Sequence, residues 1–127
     1  MRALMKLSIF VVAIALSGGS FAGEVSRALF TIGIDNREPV IMVDSIDSSA
    51  YNSISFFTEL NDLEGHNVTH QWTYDDTVMF EKTFEVKGAR WRVWTSKTLL
   101  PSWTGVWTVK VLDTDRTVLA SKTFEYQ

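Results

Sequence analysis

The densest chemical feature of the chain is Arg90-Trp91-Arg92-Val93-Trp94-Thr95-Ser96-Lys97, followed after a short gap by Trp103, Thr104, Gly105 and Trp107. In an extended strand successive side chains alternate between two faces. Arg90, Arg92, Trp94 and Ser96 then share one side, and Trp91, Val93, Thr95 and Lys97 share the other. If Trp91 and Val93 enter a core, Trp94 is left outside between arginines. A cation over an exposed indole is favourable by about 0.5–1 kcal/mol. Two uses follow. Stacked Arg and Trp can form a ladder that covers a sheet and needs no ligand. Alternatively, the indole stacks on a sugar ring or a partner's surface while the arginines pair with its anionic groups. On that second reading the candidate binding surface is Arg90, Arg92, Trp94, Ser96 and Trp103.

Other chemistry-bearing residues read as structural. His66 and His70 lie near Asp62 and Glu64, but a metal needs three or four ligands converging on one point. His70 falls mid-strand on the face of Trp72 and reads as half-buried, and His66 falls in a turn. Asp75-Asp76 and Asp113 with Asp115 occupy positions where turns are expected, and Asp is a standard turn residue. Glu59 near Asp62 and Glu64 shows no sign of the cleft that paired acid catalysis needs. Ser96 and Lys97 are adjacent in a strand and so point to opposite faces, which does not make a Ser-Lys dyad. There is no Gly-x-Ser-x-Gly elbow, phosphate loop or dinucleotide fingerprint. Without cysteines there is no disulfide, thiolate metal site or cysteine nucleophile. The expectation is a non-enzyme with no cofactor and no metal.

The elements that position these residues are short strands. Period-two alternation recurs over Ser26 to Ile34, Ser53 to Leu60, Asn67 to Tyr74, Val78 to Val86, Arg90 to Lys97, Val106 to Leu112 and Val118 to Tyr126. Val40 to Ile46 reads as an irregular strand. Turn residues separate the runs: Asp35-Asn36-Arg37-Glu38-Pro39, Asn61 to Gly65, Asp75-Asp76, Lys87-Gly88 and Asp113 to Arg116. About seven or eight short strands with turns every 8–12 residues predict an all-β, immunoglobulin-like antiparallel β-sandwich. A small β-barrel is the alternative, because strand count does not separate the two.

The chain has 127 residues, the size of one domain. Arg2 and Lys6, the apolar run Leu7 to Leu16, the break at Ser17-Gly18-Gly19 and the small residues of Ser20-Phe21-Ala22 read as a secretory signal peptide over residues 1–22. The apolar run is about half of what a membrane span requires. Cleavage after Ala22 would leave one domain, residues 23–127, with no membrane span. Absence of disulfides in a small exported domain fits a bacterial periplasm, or secretion from a bacterium. The net charge is −3, and losing Arg2 and Lys6 makes it about −5, which argues against nucleic acid as a partner.

Several segments resemble a bacterial family. They are Phe56-Phe57-Thr58-Glu59-Leu60, Leu63-Glu64-Gly65, Val68 to Tyr74, Arg90 to Lys97 and Pro101 to Val109, with Phe30-Thr31 and Asn36 to Val40 fitting its early part. The family is catalogued only as a domain of unknown function, DUF2914, and the resemblance runs over nearly all of residues 23–127. It implies an exported bacterial domain, attached to membrane segments in some members, and no activity. His70, Trp72, Arg90, Trp91 and Trp94 belong to the shared signature.

These readings converge on a periplasmic or secreted binding module without catalysis. Its partner would be an envelope protein or glycan met through the Arg/Trp strand. An assembly subunit pairing through a sheet edge is the alternative. An enzyme using His70 with a carboxylate is a third reading, supported only by composition.

Overall fold

Alternating apolar residues bounded by left-handed turns build this molecule. The computed structural model describes residues 23–127, and the expected leader, residues 1–22, lies outside the described residues. Eleven strands follow in order: β1 (Glu24–Thr31), β2 (Ile34–Asp35), β3 (Glu38–Pro39), β4 (Met42–Val43), β5 (Ser45–Ile46), β6 (Ser53–Asn61), β7 (Asn67–Tyr74), β8 (Thr77–Glu85), β9 (Arg90–Thr98), β10 (Gly105–Leu112) and β11 (Val118–Tyr126). Seven have eight or nine residues, and four have two. The seven long ones are the seven clear runs of alternation. The irregular stretch from Val40 becomes β4 and β5. The first strand ends at Thr31, short of the expected Ile34, because the chain turns there into the hairpin of β2 and β3.

Turn chemistry sets the hairpins. Asp75 and Asp76 have φ of 54° and 61°, and Asn36 and Arg37 have 53° and 62°. Two consecutive left-handed residues make the tight turn that matches strand twist. Asn and Asp tolerate this region. Arginine does so at a cost of about 1–2 kcal/mol, so Arg37 sits where glycine is the usual choice.

A five-stranded sheet has the order β8-β7-β10-β11-β5, and a four-stranded sheet has the order β9-β6-β1-β4. The β2–β3 hairpin forms a separate pair. Neither large sheet closes on itself, so the barrel alternative is replaced by an open sandwich. The pairing is antiparallel except where β11 meets β5, with Glu125 opposite Ser45 and Tyr126 opposite Ile46. Between the sheets lie Phe30, Phe56, Trp72, Trp107 and Phe124, all buried. Phe30 is 5.0 Å from Phe56 and 4.7 Å from Phe124 between ring centroids. Trp107 stacks on Phe124 at 6.0 Å. Large rings at van der Waals contact supply most of the buried area in a sandwich this small. No helix among the described residues is long and apolar enough to cross a membrane.

Candidate functional site: the β9 strand and its edge

The phase of the β6–β9 ladder decides what β9 can offer. The bonds Asp62 N–H to Ala89 O and Leu99 N–H to Asn52 O, both 2.8 Å, bracket it. Arg90 lies opposite Asn61 and Thr98 opposite Ser53. In an antiparallel pair the bonded residues alternate. Trp91, Val93, Thr95 and Lys97 therefore exchange backbone bonds with β6. The backbone N–H and C=O groups of Arg90, Arg92, Trp94, Ser96 and Thr98 point away from it, at the rim of the four-stranded sheet.

On the outer face the arginines already have partners. Arg27 on β1 donates to both Glu38 oxygens at 2.9 Å and to Glu59 Oε1 at 2.9 and 2.6 Å. Arg90 Nε donates to Glu59 Oε2 at 2.9 Å, and Arg92 Nη1 donates to Glu38 Oε2. The result is a chain of alternating charge: Arg90, Glu59, Arg27, Glu38, Arg92. Hydrogen bonds from Arg27, then from Arg92, hold the Glu38 carboxyl down at about 2. Arg90, then Arg27, lower that of Glu59. Glu38 comes from the β2–β3 hairpin, which thus folds across β1, β6 and β9. Phe57 points to this outer face yet is fully buried, under the Arg27 guanidinium at 4.9 Å and beside the near-parallel Trp94 ring at 6.4 Å.

The cation over Trp94 is neither Arg90 nor Arg92. Arg37, from the hairpin tip, lies 5.5 Å from the indole centroid. Its Nη2 donates to Arg92 O at 2.8 Å, and Arg92 Nη1 donates back to Arg37 O at 3.2 Å. Trp94 is half-buried. Ser96 Oγ is hydrogen-bonded to Ser55 Oγ at 2.6 Å. The structure thus brings Arg90, Arg92, Trp94 and Ser96 onto one face. Trp103 is not with them: it sits in the loop after β9, 5.9 Å from Trp107, under the Lys97 ammonium at 5.2 Å. Lys97 has core-side parity, so Trp103 belongs to the other side of the sheet.

Beside β9, the edge strand of the other sheet, β8, completes a groove of about 430 Å³ lined by residues that include Arg37, Lys82, Phe84, Trp91 and Trp94. Lys82 Nζ lies 5.8 Å from the Phe84 ring. Among the described residues Arg37, Lys82 and Lys97 form no ion pair. Glu85 is the acidic member of the lining.

His70 is fully buried, where the sequence suggested half-burial. Two core-facing threonines account for this. Trp72 Nε1–H donates to Thr95 Oγ1 at 2.9 Å, and Thr95 Oγ1 lies 3.0 Å from His70 Nδ1. His70 Nε2 lies 3.0 Å from Thr58 Oγ1, which donates to Val93 O at 3.2 Å. One direction of donation satisfies every atom: Trp72 to Thr95 to Nδ1, and Nε2–H to Thr58 to Val93 O. The imidazole is therefore neutral, with its proton on Nε2. Burial away from any cation's counter-charge pushes its pKa down to about 3. This imidazole ties the two sheets together and has no access to a substrate.

His66 Nδ1 pairs with Asp113 Oδ1 at 2.7 Å across two turns. Asp75-Asp76 and Asp113 to Arg116 are turn residues. No group of three His, Asp or Glu side chains placed to hold a metal occurs among the described residues.

Comparison with known proteins agrees with this architecture. A search of the curated proteins finds no match. Among solved structures, an immunoglobulin-like protein from Pseudomonas aeruginosa superposes with a TM-score of 0.55 at 17% identity, covering 87% of this chain and all of that one. At that identity the likeness is one of fold. The family match covers residues 65–126, about half of the chain, which is narrower than the near-complete resemblance expected from the sequence. Arg90 to Lys97 and Trp103 to Val109 fall inside it, whereas Phe30-Thr31, Asn36 to Val40 and Phe56 to Leu60 fall outside. The chain is an immunoglobulin-like sandwich whose residues 65–126 match DUF2914, a family of proteins of unknown function.

Proposed function

We propose that this chain is an exported, non-catalytic interaction module of the bacterial envelope that binds another protein along the free edge of β9 and the groove between β9 and β8. The observation that carries the reading is the rim of β9. It is a nine-residue strand with no bulge in its register and no proline, and among the described residues its outward backbone groups have no strand beside them. Proteins usually protect such edges by shortness, bulges, proline or charge, and of these β9 has only the charges of Arg90, Arg92 and Lys97. The other edge of the groove, β8, carries a bulge between Val78 and Phe80, and β4 and β5 have only two residues each. Export is read from the leader pattern of residues 1–22. The non-catalytic reading is supported by the sealed state of His70 and by the turn roles of the paired aspartates.

A protein partner fits better than a glycan. Sugar recognition through Trp94 needs an open indole face, and Arg37 lies over that ring. Arg90 and Arg92, which would have met an anionic partner, are held by Glu59 and Glu38. Backbone groups and the three unpaired cations remain on offer.

The test is photocrosslinking in cells that export the full chain, with a photoreactive residue at Ser96 or Thr98 and a control at the exposed Ser121. An adduct with another envelope protein from Ser96 and Thr98, and none from Ser121, is expected. An adduct between two copies of the chain would assign the edge to self-assembly instead. Adducts equal at all three positions, or absent from the first two, overturn the reading. Sequencing the exported protein is expected to begin at Gly23, and an intact Met1 would refute export with cleavage.

A further inference from the structure

We infer that the segment taken by β9 is an extended acidic stretch of the partner chain, added as a new strand beside Trp94, Ser96 and Thr98. This rests on the interaction-module reading above and names the chemistry of what that site binds.

The length of the open rim comes first. Arg37 Nη2 already satisfies Arg92 O, so the hairpin tip closes the start of the strand. Among the described residues, the outward N–H and C=O groups from Trp94 to Thr98 have no backbone partner. That stretch of five residues spans about 13–17 Å and matches a short extended segment. Strand addition satisfies such groups in register, with main-chain bonds giving affinity and alternate side chains giving selectivity.

Charge then selects the segment. Side chains of an added strand alternate between the outer face and the groove. The outer face holds Arg37 at its near end. The groove side holds Lys82, and Lys97 closes the far end of the rim. None of the three forms an ion pair, whereas Arg90 and Arg92 are neutralised by Glu59 and Glu38. Against the two free cations of its lining, Arg37 and Lys82, the groove sets one carboxylate, Glu85. This local excess of positive charge stands on a chain whose net charge is −3. Complementary potentials steer and select partners in this way. The outer-face positions of the segment carry a carboxylate to Arg37. The groove positions carry carboxylates toward Lys82.

The hairpin explains its own strain. Arg37 is left-handed at φ 62°, where glycine would be free of cost. Strain retained at one place is a pointer to what the side chain does there. Here it delivers a guanidinium to the rim of β9.

The test uses the exported chain, uniformly 15N-labelled, and two end-capped heptapeptides, one alternating glutamate with threonine and one alternating lysine with threonine. The glutamate peptide is expected to shift the amides of Trp94, Ser96 and Thr98, and to bind more weakly as salt rises. The lysine peptide is expected to bind at least tenfold more weakly. Ser96→Pro removes an outward N–H together with the exposed Ser96–Ser55 hydroxyl bond, so it should abolish the shifts while the His70 ring signals stay in place, and a Ser96→Ala control, which loses the same hydroxyl bond but keeps the N–H, should retain them. Arg37→Ala and Lys82→Ala should each weaken binding several-fold. Equal binding of the two peptides, shifts on another face, or no binding of the glutamate peptide at millimolar concentration overturns the inference. If Ser96 and Thr98 still crosslink to an envelope protein in that event, the acidic class fails and the interaction module stands. If crosslinks are absent too, both fall.

Discussion

Acidification from pH 7.5 to pH 5 should weaken this protein through one side chain, His70. Its two ring nitrogens are committed in opposite senses: Nε2–H donates to Thr58 and Nδ1 accepts from Thr95. A proton added at Nδ1 would face the hydroxyl of Thr95, which would have to turn its hydrogen away while still accepting from Trp72. The imidazolium would also be buried without a carboxylate. Desolvation accordingly places the folded pKa at about 3, below the usual 6.5. Because the folded value is the lower one, the unfolded chain binds the extra proton between those limits. Stability is complete above about pH 6.5 and declines as pH falls toward about 3. At pH 5 the loss is about 2 kcal/mol, a drop of about 8 °C or more in melting temperature for a chain this size. The lowered carboxyls of Glu38 and Glu59 add their own loss only below the ordinary carboxylate range, so the interval from pH 6.5 to 5 isolates the histidine. Urea denaturation at pH 7.5, 6 and 5, with imidazole 15N shifts of the folded protein, measures both halves. A His70→Asn chain should lose the slope, and a His66→Asn chain should keep it. A proton on Nδ1, folded-state titration near 6.5, or stability flat across this interval would refute the reasoning.

Three further outcomes follow from the same contacts. Thr95→Val keeps the shape but strands Trp72 Nε1 and His70 Nδ1, and should cost about 2–4 kcal/mol in urea denaturation. Arg37→Gly exchanges relief of left-handed strain, about 1–2 kcal/mol, for the lost indole contact, about 0.5–1 kcal/mol, and the lost hydrogen bond to Arg92 O, about 0.5–1.5 kcal/mol. Its stability should therefore change by less than about 1 kcal/mol, and a large loss would show that the hairpin tip is held chiefly by that side chain. Gly23→Ala sets a Cβ about 2.4 Å from Asp62 O and 2.5 Å from Leu63 Cγ, so the start of β1 or the turn after β6 must shift. A loss of about 1–3 kcal/mol is expected, and an unchanged melting curve would show that the start of β1 is free to move.

Local patterns carried the fold, and non-local ones hid the site. Strand alternation and turn residues act over two to five positions, so the seven long strands and the Asp75-Asp76 turn were readable. Parity along β9 likewise placed Val93 inward and Trp94 outward. It could not place Trp103, because a loop has no parity. The family resemblance read from the N-terminal segments went further than the match over residues 65–126. His70 was misjudged because its burial depends on hydroxyls far away in the chain. A signal for it was present all the same: Thr58 and Thr95 both occupy core-facing positions of alternating strands, where an isolated hydroxyl is costly. Two such hydroxyls facing a third polar residue imply a shared buried network.

The arginines show a harder limit. Four guanidinium groups, Arg27, Arg37, Arg90 and Arg92, converge on one face, and residue type does not say which are already neutralised. That depends on Glu38 and Glu59, reached across up to 54 residues of sequence. Strand order made the assignment: with β6 between β1 and β9, Glu59 stands between Arg27 and Arg90, and the β2–β3 hairpin brings Glu38 between Arg27 and Arg92. The most conspicuous cations of the sequence are thereby the least available, and Arg37, which looked like a turn residue, is the one left over. The edge of β9 follows the same logic. Alternation in sequence identifies a strand, but only the absence of a neighbour turns half of its backbone into an unpaired surface. On the proposed reading, a ligand of that surface would be selected by main-chain register and by the leftover charge, not by the Arg/Trp composition that first drew attention to the strand.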